Sequence, residues 1–83
     1  MPLIKLEPKK SVPLSECKDR DPMAETTISN KTDKTAKYVI SYDSMPLSVQ
    51  NTLNAHQSVT MCSPAGSILN DGDVELIVET PGL

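Results

Sequence analysis

The chain has 83 residues, a formal net charge of −3, and only two aromatic side chains, both tyrosine. This length allows one domain at most, and two cysteines with one histidine are too few to hold a structural zinc ion. The N-terminus lacks the long apolar run of a signal peptide, and no later run is long enough to span a bilayer. We therefore expect a soluble protein made in the cytoplasm, without a cofactor, a metal or a membrane partner.

Charge divides the chain into two parts. All eight Lys and Arg residues lie at or before Lys37, where six carboxylates accompany them, whereas residues 38–83 hold five carboxylates and no basic residue. Apolar residues are also more frequent after this boundary. The pattern predicts an extended, charged, proline-containing arm over residues 1–37, disordered alone or ordered on a partner, and a small acidic β-rich module over residues 38–83.

The predicted arm begins with an alternating segment. Apolar and charged residues alternate between Pro2 and Pro8, which favours a short edge strand or a strip that lies on another surface. Beyond it, Pro13 and Pro22 disfavour a helix. Such a segment can bind a partner by adding a strand to an exposed sheet edge. The apolar residues predicted to make these contacts are Leu3, Ile4, Leu6, Val12 and Leu14.

Alternating residues in the module predict about four short strands. The last one is the clearest, because Val74, Leu76 and Val78 share one face, and we expect Leu76 and Val78 in the core. The preceding Asn-Asp-Gly-Asp segment predicts a tight hairpin turn in which Gly72 has a positive φ. The predicted strands cover residues 38–42, 59–62, 68–69 and 74–79.

A short helix is predicted over residues 46–56. Asp43 and Ser44 offer capping oxygens, and Pro46 lies where a first helical turn tolerates it. Apolar residues then recur at helical spacing through Val49 and Leu53. The predicted fold class is therefore α+β: a small β-rich module with one short helix, preceded by a long extended N-terminal arm. No internal repeat is evident in the sequence.

The two cysteines leave two alternatives. A disulfide between Cys17 and Cys62, which are 45 positions apart, would connect the arm to the module. Because Cys62 follows an apolar strand pattern, a small buried core residue with a free thiol is the favoured interpretation.

No motif in the chain specifies a reaction, so we do not predict an enzyme. His56 is the only imidazole, and no nucleophile signature accompanies it. The carboxylates around Gly72 do not have the spacing of a calcium loop. The basic residues are diluted by carboxylates and lack aromatic neighbours, which makes nucleic acid an unfavoured partner.

These features predict a non-enzymatic structural or interaction protein that docks on a larger assembly through its extended arm. Its partner would be another protein or further copies of itself in an oligomer. By analogy of layout alone, a viral capsid or tail accessory protein, of the cement or decoration kind, is the preferred setting. The alternative is a small acidic inhibitor or adaptor whose Asp73, Glu75 and Glu79 bind a basic groove of a cellular enzyme.

A third hypothesis comes from a resemblance. Residues 69–78, followed by a near-terminal glycine, resemble the closing strand of the β-grasp sulfur carriers and related small domains. Those families end in Gly-Gly, and the resemblance implies a terminal carboxylate that is activated and thiolated. This chain ends in Pro81, Gly82 and Leu83, so the reactive terminus would require removal of Leu83.

Overall fold

The computed structural model describes residues 3–14, 16–17, 25–62 and 65–80. Among these residues there are eight strands and no helix. In chain order the strands are β1 (Leu3–Leu6), β2 (Ser11–Leu14), β3 (Thr26–Ser29), β4 (Ala36–Tyr42), β5 (Ser48–Leu53), β6 (Ser58–Met61), β7 (Gly66–Asn70) and β8 (Leu76–Glu79).

The strands form two four-stranded sheets in which every recorded pair is antiparallel. Sheet 1 has the order β1-β8-β3-β6, and sheet 2 has the order β2-β7-β4-β5. The loops β1–β2, β3–β4, β5–β6 and β7–β8 each cross from one sheet to the other. The chain therefore forms a β-sandwich in which every strand of sheet 1 has a sequence neighbour in sheet 2.

One hydrophobic core lies between the sheets. Sheet 1 contributes Ile28, Leu76 and Val78, each fully buried, which confirms the expectation for Leu76 and Val78. In sheet 2, Tyr38 and Ile40 point inward with fully buried Ile68. Full burial of such an aliphatic side chain contributes about 1.5–3 kcal/mol. The molecule has few aromatic side chains, and the aliphatic side chains on the inward faces of the sheets therefore supply most of its hydrophobic stabilisation.

The predicted α+β class with a preceding extended arm is wrong. β1 pairs with β8, β2 pairs with β7, and β3 lies between β8 and β6, so three strands from residues 1–37 belong to the sheets. The expected boundary after Lys37 falls within β4. Each of these three strands has only four residues, and few of their side chains need to be apolar to reach the core. The average composition of residues 1–37 is polar, and it therefore did not indicate these three strands.

The predicted helix over residues 46–56 is also wrong, because this segment contains β5. Val49 and Leu53 share a face at helical spacing, but they also share a face in a strand, with Asn51 between them. Pairing over six residues with β4 provides partners for the backbone groups of β5 that face β4. Valine, serine and threonine favour this outcome, since they are weak helix formers.

The segment after β7 is not a hairpin, because β7 and β8 lie in different sheets. Gly72 does not have a positive φ. It is needed for a steric reason instead, since a Cβ at Gly72 would lie 2.9 Å from the backbone nitrogen of Lys37. A sheet that holds a helix, as in the β-grasp architecture, is not found in the described part of the chain.

The two halves of the chain repeat the same topology, contrary to the expectation of no internal repeat. Advancing every strand number by four converts the order of sheet 1 into that of sheet 2 read backwards. The first half (β1–β4) and the second half (β5–β8) are thus related by an internal two-fold symmetry. The equivalent positions that hold the same residue are Leu6 and Leu53, Ser11 and Ser58, Val12 and Val59, Ile28 and Ile68, Asn30 and Asn70, and Asp33 and Asp73.

The symmetry extends to backbone detail in the loops. The four-residue loops β1–β2 and β5–β6 each place their third residue at a positive φ, 66° for Lys9 and 60° for His56. The carbonyl of the next residue in each loop accepts a hydrogen bond from the backbone N–H of a buried asparagine. Asn70 donates to the Lys10 carbonyl, and Asn30 donates to the Gln57 carbonyl. Each of these hydrogen bonds joins one half of the chain to the other, so the two halves stabilise each other.

Candidate interaction surface

The five apolar residues predicted to bind a partner are divided between the core and the surface. Leu6 and Leu14 are buried and belong to the chain's own core, and Val12 packs against that core. Ile4 is half-buried, and Leu3 is 60% exposed at the start of β1. Since β1 and β2 are already paired within the sandwich, these residues do not form a free strap.

The three predicted acidic contacts also have different surroundings. Asp73 is exposed in the β7–β8 loop, whereas Glu75 and Glu79 are half-buried. Glu79 on β8 lies opposite Leu3 on β1, on the outer face of sheet 1. On the same face, Lys5 on β1 lies opposite Ile77 on β8. The surface therefore mixes a basic residue with the carboxylates, because β1 covers the flank of β8. Binding of a basic groove by these residues stays a prediction.

Cys17 and Cys62 form a disulfide, with their Cα atoms 5.1 Å apart. The favoured interpretation of Cys62 as a buried free thiol is wrong, since Cys62 is exposed directly after β6. The alternation that suggested burial ends at Met61, which is half-buried. The disulfide holds residues 16–17 beside the end of β6.

His56 is exposed in the β5–β6 loop, and its backbone amide donates to the Thr32 carbonyl at 3.2 Å. In the described residues no group of three or more His, Cys, Asp or Glu side chains is placed to hold a metal ion. These residues also form no pocket. The sheet edges are further features that can contact another molecule.

Three of the four edge strands carry features that disfavour pairing with another chain. β1, β2 and β6 have only four residues each. β1 holds Lys5, β2 holds Pro13, and β6 ends beside the Cys17–Cys62 disulfide. Short length, charge and proline are common devices that prevent edge-to-edge association. Pro13 fits this role well, because its nitrogen points away from β7.

β5 lacks each of these features. It has six residues with no charge and no proline. Tyr42 donates its amide to the Leu47 carbonyl at 3.2 Å, so alternate residues from Leu47 onward direct their backbone groups to β4. The intervening residues direct theirs to the open edge. The residues that present unpaired backbone groups are therefore Ser48, Gln50 and Thr52.

Exposed apolar side chains accompany this open edge. Met45, Leu47 and Val49 are 47%, 49% and 38% exposed, and together with Leu3 they are the large apolar residues recorded as exposed in the described structure. Val49 is the Cα partner of Ile40, whose side chain is buried in the core. Leu47 and Val49 thus continue the inner face of sheet 2 beyond the part that sheet 1 covers. We call the segment 45–53 the β5 edge.

Sequence reasoning missed the β5 edge because it assigned this segment to a helix. One signal was present, since residues 44–70 contain no Asp, Glu, Lys or Arg. A charge-free stretch of that length, with apolar residues at positions 45, 47 and 49, fits a strand whose surface is not fully solvated.

Comparisons with protein-family models, characterised proteins and solved structures find no match to this chain. The described residues contain no helix that is long and apolar enough to cross a membrane.

Proposed function

We propose that this chain is a non-enzymatic structural interaction protein that joins a larger assembly through the β5 edge. The observation that carries this proposal is the coincidence of two features on the β5 edge: unpaired backbone groups and exposed apolar side chains. Backbone groups at an open edge provide hydrogen bonds for an added strand, and flanking apolar side chains provide burial. The role first assigned to an extended arm thus moves to an edge of the folded sandwich.

The rest of the surface supports a passive, scaffold-like role. The sandwich is closed by paired loops around Asn30 and Asn70 and is cross-linked by one disulfide. A rigid module of this kind can present a binding edge with little ordering entropy to lose on association.

The disulfide also bears on the setting. Disulfides persist in oxidising surroundings, which include extracellular space and the surfaces of virions. We therefore favour a chain that is synthesised in the cytoplasm and works in a many-copy particle exposed to such surroundings, such as a viral capsid or tail. Small size and an interaction edge suit an accessory protein of that kind, and this step is an analogy of layout.

Site-specific photocrosslinking in the native host tests the proposal. A benzophenone amino acid replaces Leu47 in one variant and Leu3 in the control variant. Both side chains are exposed and apolar, Leu3 on edge strand β1 and Leu47 directly before edge strand β5. The proposal predicts a protein adduct of defined mass from position 47 and none from position 3. Absence of any adduct from position 47 would contradict it.

The acidic inhibitor stays an untested alternative with its own experiment. Glu75→Lys and Glu79→Lys would abolish association with a basic partner and remove its salt dependence, whereas they lie outside the β5 edge and would leave binding there intact. For the sulfur-carrier hypothesis, residues 81–83 lie outside the described residues. Mass spectrometry of the intact chain tests it, since a thiocarboxylate requires removal of Leu83.

A further inference from the structure

We infer that the partner of the β5 edge is a second copy of this chain, bound by antiparallel β5–β5 pairing about a two-fold axis. The inference rests on the proposed function and specifies its partner. It would join sheet 2 of each copy into one continuous eight-stranded sheet. Three observations on the β5 edge and its surroundings lead to a copy of the same chain.

The first observation is the distribution of charge. The chain carries a net charge of −3, so two copies repel each other through their net charge. The β5 edge and the adjoining β6 lie in the charge-free stretch of residues 44–70. This side of the sandwich is where two identical acidic molecules can approach without like-charge contact. An oppositely charged partner would find no complementary charge on it.

The charged groups that border β5 are balanced. Asp71 accepts a hydrogen bond from the Gln50 side chain at 3.1 Å and forms an ion pair with Lys9 at 3.7 Å. Lys37 on β4 is the Cα partner of Thr52 and adds a positive charge beside β5. Asp43, exposed in the turn between β4 and β5, carries a second negative charge, so two carboxylates and two lysines leave the border of β5 without an excess charge that would oppose a second copy.

The second observation is the direction of the backbone groups. Ser48, Gln50 and Thr52 point their N–H and C=O groups outward, at every second position, as an antiparallel partner requires. A strand with this spacing is self-complementary, because rotation by 180° brings outward groups opposite outward groups. Two-fold pairing of this kind is the commonest symmetry of homodimers.

The third observation is the apolar row. In an antiparallel β5–β5 pair related by a two-fold axis perpendicular to the sheet, the inner faces of both copies lie on the same side. Val49 of each copy then lies close to Val49 of the other across the axis, and the apolar rows of the two copies meet side by side. Cross-strand apolar pairs contribute about 0.2–1 kcal/mol each beyond alanine, and burial of their area adds to this.

Sedimentation equilibrium on the purified, oxidised full chain tests the inference. The wild type is expected to show a concentration-dependent mass that rises from 9.0 kDa to twice that value. Val49→Lys places a charge in the apolar row and is expected to weaken dimerisation about tenfold or more. Leu3→Lys is the matched control, because Leu3 is also an exposed edge residue, and it should dimerise as the wild type does.

A second variant guards against misfolding of the first. Gln50→Pro removes an outward N–H without touching the β4 pairing, and it copies into β5 the device that Pro13 provides in β2. Loss of the dimer in a folded variant of either kind supports the inference. A wild type that stays at 9.0 kDa, or a dimer that both variants leave unchanged, overturns it.

The outcome is separable from that of the proposed function. A monomeric wild type together with a crosslink from position 47 to a different protein would retain the β5 edge as a binding surface and reject the second copy. No crosslink from position 47 would reject both.

Discussion

Asn30 and Asn70 occupy equivalent positions in the two halves of the sandwich and make the same three kinds of hydrogen bond. Each side-chain NH₂ group donates to the backbone carbonyl four residues later. It also donates to the carbonyl of the last residue of an edge strand in the opposite sheet, Leu53 of β5 for Asn30 and Leu6 of β1 for Asn70. Each side-chain oxygen accepts a hydrogen bond from the backbone N–H two residues later. Both side chains are fully buried. The pair therefore fixes the two sheet-crossing loops that hold β1 and β5 in place.

Replacing either asparagine should destabilise the fold. Asn70→Ala removes donors to Leu6 and Val74 and leaves their carbonyls without this partner, which costs about 1–3 kcal/mol for each group left unsatisfied. Chemical denaturation with urea measures the change. Asn54→Ala is the control, because Asn54 is exposed and should shift stability by about 0.5 kcal/mol or less. Equal stability of the Asn70 and Asn54 variants would refute the role of the buried pair.

Reduction of the disulfide should lower the unfolding temperature. The 45-residue separation of Cys17 and Cys62 corresponds to roughly 4 kcal/mol of loop-closure entropy removed from the unfolded chain. Thermal unfolding followed by circular dichroism, with and without dithiothreitol, measures this loss. A Cys17→Ser, Cys62→Ser double variant should match the reduced wild type and be insensitive to the reductant. An unfolding temperature unaffected by reduction would contradict the expectation.

Gly66 should not tolerate a side chain. A Cβ at Gly66 would collide with the Ser41 carbonyl oxygen on β4, which is backbone and cannot move aside. Gly66→Ala is expected to destabilise the chain by about 1–3 kcal/mol through overpacking. The neighbouring Ser67→Ala, which shortens a half-buried side chain on the outer face, should have little effect. Denaturant midpoints of the two variants compare them directly, and a neutral Gly66→Ala would argue against this close approach.

Stability should fall at alkaline pH through Tyr38. Burial raises the pKa of the Tyr38 hydroxyl above its ordinary value of 10.0, because the phenolate is poorly solvated there. The folded state thus holds this proton more tightly than the unfolded state. Its contribution is fully present below about pH 10 and is lost as the pH rises through the folded-state pKa.

The variant Tyr38→Phe isolates this effect. It should show a shallower decline of unfolding free energy above about pH 10 than the wild type. Urea unfolding at a series of pH values gives both slopes. Identical slopes for Tyr38→Phe and the wild type would show that Tyr38 ionises equally in both states.

The sequence was sufficient to locate strands with strong alternation. Tyr38, Ile40 and Tyr42 indicated β4, and Leu76 and Val78 indicated β8, because each segment has inward residues at successive alternate positions. The edge-strand interpretation of the first residues was also confirmed, although its partner is β8 rather than another protein. These assignments depend on the alternation of apolar and polar residues along the chain, which can be seen without knowledge of the tertiary fold.

The rest depended on contacts distant in sequence. β2 has a proline and one buried side chain, Leu14, so only its pairing with β7 identifies it as a strand. The internal repeat was hidden because the segments that connect β2 to β3 and β6 to β7 differ in length. The β5 edge was hidden because the spacing of Val49 and Leu53 satisfies a helix and a strand equally.

Amide hydrogen exchange at the β5 edge shows whether β5 pairs with a second copy. Exchange rates of Ser48, Gln50 and Thr52 are measured by NMR in dilute and in concentrated solutions of the full chain. The outward amide of Ser11, on the opposite edge of sheet 2, serves as the reference. If β5 pairs with a second copy, the three β5 amides become protected as concentration rises while the Ser11 amide stays unprotected. Fast exchange of all four amides at every concentration would contradict the pairing of β5 with a second copy.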